Sequence, residues 1–166
     1  MGRPFRAPVG LELSQAAAIV RRAFEDALGQ AEFQDARGQA GGTLPVWLIL
    51  LNLKIHKPGT QHDLAEKVGI REATLTHHLN AMDARGLVTR TRSATNRRIQ
   101  VVQLTEAGEA GFMALQQAAV AFDTRLRAGL SDRDLESLSG LLSKLTANAG
   151  GAQDGAAPWA GLAESD

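Results

Sequence analysis

The chain has no cysteine and no tyrosine, and aromatic residues make up only 4% of its 166 positions. The lack of cysteine excludes disulfides, thiolate metal ligands and thiol redox switches. The longest apolar run, "LPVWLILL" from Leu44 to Leu51, is too short for a bilayer span, which takes about 20 residues. The N-terminal "MGRPFRAPVGLEL" lacks the apolar segment of a signal peptide. We therefore expect a cytoplasmic protein.

The sequence also lacks the motifs of the common enzyme classes. It has no phosphate-cradling glycine-rich loop, no GxSxG elbow and no HExxH pair. Two of its four histidines, His77 and His78, are adjacent, so on a helix they point about 100° apart and cannot hold one ion from one face. We expect no enzymatic activity, no cofactor and no functional metal site.

The formal net charge is zero, but the charges are unevenly distributed along the chain. Between Lys54 and Arg98 there are 9 basic and 4 acidic residues, whereas Thr105 to Asp166 holds 4 basic and 9 acidic. Five arginines fall between Arg85 and Arg98 with no acid among them. A run of one sign is typical either of a solvated surface or of a surface that binds a polyanion.

The hydrophobic pattern predicts a helix from about Leu11 to Arg37, ended by "GQAGGT". A second helix should start at Pro45, after a cap at Thr43 or Leu44, and should be largely buried because apolar residues surround it. Thr60 should then cap a third helix, with Asp63 at its third position.

Gly69 should end that third helix with a positive φ. A fourth helix follows at once, with Leu75, Leu79 and Met82 facing inward, and Gly86 should end it. Two short helices joined by a glycine turn form a helix-turn-helix, whose second helix can enter the major groove of DNA.

The segments "LVTRTRS" and "RIQVVQLT" are rich in β-branched residues and predict two strands, with "ATN" at the hairpin tip. A helix-turn-helix followed by a hairpin is a winged helix. The fold class is therefore mainly α with a small β-hairpin wing. Arginines on the wing or at its base would reach the phosphate backbone or a minor groove, with Arg71 or Lys54 in support.

Thr105 should cap a long helix in which Phe112, Leu115, Ala119, Phe122 and Leu126 recur at steps of three and four. This seam packs either within one domain or against a second chain. "SDRD" resembles a capping box and should open a last helix whose leucines face inward. From Asn148 onward, the Gly/Ala-rich segment predicts a disordered tail.

The stretch "DLAEKVGIREATLTHHLNAMDARGLVTR", followed by "NRRIQVVQLTEAG", resembles the MarR family of transcriptional regulators. The likeness extends over roughly Leu11 to Leu145. The wing signature departs from the family pattern, because Asn96 stands where the family usually has aspartate. An asparagine still forms hydrogen bonds with Arg98 but lacks the charge that would hold a guanidinium firmly.

The resemblance implies a homodimer that binds a pseudo-palindromic DNA operator and represses transcription, with release by a small aromatic or acidic effector. The corresponding division of the chain is 1–40 as an N-terminal dimerisation helix and 41–105 as the DNA-binding winged helix-turn-helix. Residues 106–147 would be C-terminal dimerisation helices, and 148–166 the disordered tail. Zero cysteines exclude the thiol-oxidation sensing used by part of the family.

Candidate site residues follow from the same alignment of motifs. On the recognition helix, the predicted DNA contacts are Arg71, Ala73, Thr74, Thr76, His77 and Asn80. On the wing, they are Arg90, Arg92, Asn96, Arg97 and Arg98. The predicted dimer interface contains Leu13, Val20, Phe112, Phe122, Leu126, Leu138 and Leu142. A candidate ligand pocket is lined by Phe24, Trp47 and Phe112, although core packing is the favoured interpretation of each.

The two histidines of the recognition helix receive different interpretations. His77 is favoured as a base or phosphate contact over plain solvation, and His78 as a packed or half-buried residue at the edge of the core. A second hypothesis for the whole chain is a winged helix that only binds other proteins. Such a module would have an acidic or apolar recognition helix and a neutral wing, so the arginines argue against it.

Overall fold

A computed structural model describes residues 8–33, 41–56, 60–92 and 100–150. In these ranges the chain forms six helices and one antiparallel two-stranded hairpin, so the predicted fold class is confirmed. In chain order the elements are α1 Val9–Gly29, α2 Leu44–Ile55, α3 Gln61–Val68, α4 Glu72–Ala84, β1 Val88–Arg92, β2 Gln100–Leu104, α5 Glu106–Leu126 and α6 Asp132–Asn148.

Helix α2 forms the centre of the core and packs against α1, α3, α5 and β2. Apolar residues lie on all sides of this helix. Trp47, Ile49, Leu50 and Leu51 are all buried, as the sequence predicts. The one buried polar residue in the described ranges, Asn52, satisfies its amide by donating to the Leu48 carbonyl oxygen at 2.8 Å. The other elements of the winged helix therefore pack around a buried, mainly apolar helix.

The helix N-caps predicted from the sequence are present in the structure. Each cap depends on only a few adjacent residues, which is why the sequence predicts it. Thr43 caps α2 and Thr105 caps α5, each through its side-chain oxygen. Both Thr60 with Asp63 and Ser131 with Asp134 form reciprocal capping boxes. The predicted left-handed turn at Gly69 is also present, with φ 74°.

The first helix is shorter than predicted. It ends at Gly29 rather than continuing to Arg37, and residues 34–40 lie outside the described ranges. After Gly29 the chain leaves the helix so that Ala31 becomes buried and the Phe33 ring packs over Gly111 of α5. The apolar spacing that predicted a longer helix thus continues into a turn that packs on the core.

The last helix is as expected in position but not in packing. None of its residues is buried, and Leu138, Leu141 and Leu142 are 48%, 58% and 39% exposed. The expectation that these leucines face inward within the protomer is wrong, because no described element of the chain packs closely on α6. By contrast, Phe112, Leu115 and Phe122 of α5 are buried inside the protomer, which supports packing within one domain for that part of the seam.

The hairpin places β1 against β2 with Val88 opposite Leu104, Arg90 opposite Val102 and Arg92 opposite Gln100. Residues 93–99, which include the predicted tip, lie outside the described ranges. Among the helices that the structure describes, none is both long and apolar enough to cross a membrane.

Candidate nucleic-acid interface

Helix α4 has one buried and one exposed face, as a recognition helix requires. Leu75, Leu79 and Met82 are at most 1% exposed and anchor the helix on the core, as predicted. The opposite side leaves five of the six predicted contact residues exposed to solvent: Arg71, Ala73, Thr74, His77 and Asn80. His78 is half-buried, as expected, with its ring 5.9 Å from that of His77.

Thr76, the sixth predicted contact, is held by other protein groups. Its hydroxyl donates to the Glu72 carbonyl oxygen at 2.9 Å and accepts from the Gln61 side-chain amide of α3. The single hydroxyl proton and one acceptor position are therefore occupied. Thr76 links the two helices of the helix-turn-helix, and this role differs from the one predicted.

His62 forms a second link between α3 and α4. Its Nδ1 lies 2.5 Å from the Glu72 carboxylate on α4, and its Nε2 lies 3.6 Å from Glu66 one turn along α3. The hydrogen bond to Glu72, followed by the charges of Glu66 and Glu72, raises the pKa of His62 above its ordinary value. The i, i+4 spacing of His62 and Glu66 is visible in the sequence, but their approach to Glu72 depends on the turn.

Arg90, predicted as a wing contact, is already paired inside the domain. Its Nη2 donates to Asn80 Oδ1 at 2.6 Å and to Asp83 Oδ2 at 3.3 Å, and its side chain is only 20% exposed. Arg90 therefore joins the wing to the recognition helix, and Asp83 offsets its charge. The sequence alone does not indicate this contact, because Arg90 lies on β1 whereas Asn80 and Asp83 lie on α4.

Arg92 differs from Arg90 although both lie on β1. It is exposed, and it forms no hydrogen bond or ion pair with another residue in the described ranges. Lys54, a predicted supporting cation, instead forms a 2.7 Å ion pair with Glu109 of α5. Asn96, Arg97 and Arg98 lie outside the described residues. Of the predicted cations in the described residues, Arg71 and Arg92 are the arginines that remain exposed.

Residues 43–100, which span α2 to the start of β2, match the family model described as "MarR family". The chain carries a MarR-family winged helix. The match covers the helix-turn-helix and β1, which belong to the elements whose motifs resemble the family.

Solved structures extend the likeness beyond the matched residues to the terminal helices. A probable transcriptional regulator from Pseudomonas aeruginosa is 28% identical, with a TM-score of 0.69 over 82% of this chain and 96% of that one. BpsR from Bordetella bronchiseptica, whose DNA binding is regulated by 6-hydroxynicotinic acid, is 20% identical, with a TM-score of 0.71 over 88% and 98%.

The transcriptional repressor CouR, solved bound to a 23-mer DNA duplex, is 24% identical, with a TM-score of 0.69 over 84% of this chain and 92% of that one. The lower identities of BpsR and CouR show the fold alone. With the family match, the comparisons identify the chain as a transcriptional regulator.

The predicted dimer-interface residues fall into two groups. Leu13, Leu126, Leu138 and Leu142 are exposed, and Val20 is half-buried, so all five have surface that a second chain could cover. Phe112 and Phe122 are instead buried in the protomer at 3% and 9% exposure. Because the protomer already covers these two rings, little of either remains for a partner.

The rings of the candidate ligand pocket pack against other aromatic rings. Trp47 and Phe112 are stacked with centroids 5.7 Å apart, and both are buried. Phe24 lies against Phe122 with centroids 5.0 Å apart. These contacts favour the core-packing interpretation of all three pocket residues.

Proposed function

We propose that the chain is a sequence-specific DNA-binding regulator that represses transcription by occupying a pseudo-palindromic operator as a homodimer. The observation that carries this proposal is the exposed side of α4. It presents Thr74, His77 and Asn80 while three apolar residues anchor its other side in the core. A helix held in this way can lie in a major groove with its side chains against base edges.

The positive charge of the wing also supports DNA binding. Arg92 is exposed on β1, and the sequence adds Arg97 and Arg98 in the wing segment. Arginine at such positions binds phosphate oxygens and fixes the register of a protein on its duplex. CouR, a structural neighbour solved on DNA, has the same fold.

The homodimer is supported by apolar surface that the protomer does not cover. Leu138, Leu141 and Leu142 of α6 are exposed, as are Val9, Leu11 and Leu13 of α1. Soluble proteins rarely expose contiguous apolar surface without a partner. A second copy of the chain with both terminal regions paired would cover it, and would place two recognition helices about 34 Å apart.

The proposal also includes a small-molecule effector. A small aromatic or acidic molecule would release the protein from DNA, by analogy with BpsR and 6-hydroxynicotinic acid. The packed rings of Trp47 and Phe112 mean that such a molecule would need to separate them or bind elsewhere. Thermal-shift measurements with a panel of aromatic carboxylic acids test this point.

The central experiment is selection of duplexes by the purified full chain from a randomised pool, followed by gel-shift titration of the selected site. We expect an inverted-repeat motif, and His77→Ala should change the preferred bases at one position in each half-site. A winged helix that only binds proteins would select no motif. That result would contradict the proposal and favour the interaction module.

Salt dependence tests the wing. Each phosphate contact contributes a slope of about 0.9 in log K against log salt, so Arg92→Ala should give a shallower slope on the selected site. Arg133→Ala is the control, because Arg133 is also an exposed arginine but lies on α6, away from the wing in the chain. Equal slopes in wild type and Arg92→Ala would remove Arg92 from the interface.

A further inference from the structure

We propose that Arg90 fixes the amide of Asn80 as a hydrogen-bond donor toward DNA, so that this position of the recognition helix selects guanine over adenine. The inference rests on the proposed DNA binding and adds a specificity-determining role for a residue that does not itself need to touch a base. It arises from the contact between β1 and α4.

The orientation of the Asn80 amide follows from the chemistry of its partner. A guanidinium carries only donors, so the Asn80 atom 2.6 Å from Arg90 Nη2 must be the oxygen. The amide nitrogen, with its two N–H groups, therefore occupies the other branch of the side chain. Asn80 is exposed on α4, so these donors are accessible to a duplex in the groove.

Arg90 is held firmly enough to impose this orientation. It also donates to Asp83 at 3.3 Å, and its side chain is 20% exposed. Its backbone is paired opposite Val102, a core residue of β2 that is 2% exposed. An arginine fixed at both its backbone and its guanidinium loses less freedom than a solvated one when it orients a neighbour.

The base preference follows from the donor pattern of the major groove. An unrestrained asparagine pairs with adenine through two bonds, in which its oxygen accepts from N6 and its nitrogen donates to N7. In this protein the oxygen already accepts from a cation, which weakens its hydrogen bond to the adenine amino group. Guanine presents two acceptors, N7 and O6, and so complements the remaining N–H groups.

The test uses the site selected by the full chain from a randomised duplex pool. The base pair read by Asn80 is the one at which Asn80→Ala loses discrimination. Four duplexes that differ only at this pair are then titrated against each variant. For wild type we expect G·C to bind at least about fivefold more tightly than A·T.

Releasing the amide should change this ratio. In Arg90→Met the Asn80 oxygen loses its donor, and we expect the G·C over A·T ratio to fall at least about fivefold. Arg90→Lys retains a cationic donor and should keep the guanine preference. Arg92→Ala, on the same strand, should weaken all four duplexes alike and leave the ratio unchanged.

Asn80→Asp provides a second test that leaves Arg90 in place. It keeps an oxygen for Arg90 but removes the N–H donors, so the guanine preference should disappear although the pair with Arg90 persists. This arm decides the matter if Arg90→Met does not fold, as judged by its circular dichroism and melting temperature.

The outcomes separate this inference from the function on which it rests. If wild type selects no motif, the proposed DNA recognition fails and the inference fails with it. If a motif is selected but A·T is preferred at the Asn80 position, or a folded Arg90→Met keeps the wild-type ratio, only the inference is overturned. Retention of the guanine preference in Asn80→Asp overturns it equally.

Discussion

Gly108 shows how one missing methyl group positions the wing relative to the rest of the chain. The first turn of α5 passes so close to the segment before β1 that a Cβ at Gly108 would collide with the Leu87 carbonyl oxygen, a backbone atom. A backbone atom cannot move aside as a flexible side chain can. The glycine in "LTEAG" thus permits the close approach of α5 to the hairpin.

We expect Gly108→Ala to lower the free energy of unfolding by about 2–3 kcal/mol, the cost of forcing extra volume into a packed contact. Gly140→Ala is the control, because a Cβ at Gly140 on α6 meets nothing within 4 Å of it in the protomer. That change should be neutral or stabilise by up to about 1 kcal/mol. Chemical denaturation at one protomer concentration measures both, and equal effects of the two substitutions would contradict the role of Gly108.

The histidines offer a second prediction at this scale. The pKa of His62 is raised by its hydrogen bond to Glu72 and by the charge of Glu66, whereas burial, followed by the charge of Lys67, lowers the pKa of His56. In an NMR titration we expect His62 to titrate above pH 6.5 and His56 below it. Glu72→Gln should lower the pKa of His62 and leave His56 unchanged.

The sign of the stability effect follows from the raised pKa of His62. The contribution of His62 to the stability of the folded state is fully present below its unfolded-state pKa near 6.5. It is lost as pH rises through the higher pKa of the folded state. A His62 resonance that titrates at or below pH 6.5 would mean that the link to Glu72 does not form in solution.

Single residues could be predicted from the sequence where their partners are close along the chain. The capping pair of Thr60 and Asp63 spans one helical turn, so a local pattern is sufficient to identify it. The contact of Arg90 with Asn80 spans two elements and depends on how the hairpin leaves α4. A pattern of charge alone could not distinguish Arg90, which is paired, from Arg92, which is exposed.

At the scale of elements, the joint between the hairpin and α5 depends on one threonine. Thr105 accepts from the Gly108 backbone N–H at 3.0 Å and donates its hydroxyl proton to the Gly86 carbonyl oxygen at 2.6 Å. Thr105 therefore caps the N-terminus of α5 and links it to the turn that follows α4.

We expect Thr105→Ala to cost about 1–2 kcal/mol of unfolding free energy, because it removes a helix cap and a second hydrogen bond. Thr105→Ser keeps the hydroxyl and should cost less than about 0.5 kcal/mol, which makes it the matched control. Urea unfolding of the three proteins is the measurement. A serine variant as unstable as the alanine variant would show that the methyl group, not the hydroxyl, matters.

The two errors at the level of elements have one physical origin. Hydrophobic periodicity tells which residues avoid water but not which surface covers them. Ala31 continues the apolar spacing of α1, yet it is buried by a turn, and the leucines of α6 are spaced for burial, yet no described part of the protomer covers them. The sequence was sufficient to predict that each element exists and whether it is a helix or a strand. Where α1 ends and what packs against α6 depend on the tertiary structure.

At the scale of the whole molecule, the basic and the acidic charges lie in different parts of the chain. The basic excess belongs to the winged helix, and the acidic excess follows Thr105. The protein is neutral as a whole, so its proposed attraction to DNA depends on separation of these regions beyond the Debye length of about 8 Å at physiological salt.

We expect the wild-type chain to be a dimer at micromolar concentration and Leu142→Asp to be a monomer, because a charge on the exposed apolar side of α6 opposes its burial. Lys144→Asp, on the polar side of the same helix, is the control and should remain a dimer. Phe122 is unsuitable for this test, because it is 9% exposed in the protomer and its loss would damage the core. Sedimentation velocity reports the mass, and a monomeric wild type would contradict the proposed dimer.

The lack of buried residues in α6 also has a consequence for hydrogen exchange. A 17-residue helix without tertiary packing is only marginally stable in water, so in an isolated protomer its amides would exchange rapidly with deuterium. The amides of α2, which lie in the core, would exchange slowly at any dilution. Protection of α6 that rises with protein concentration, while α2 stays constant, would locate assembly on this helix without any substitution.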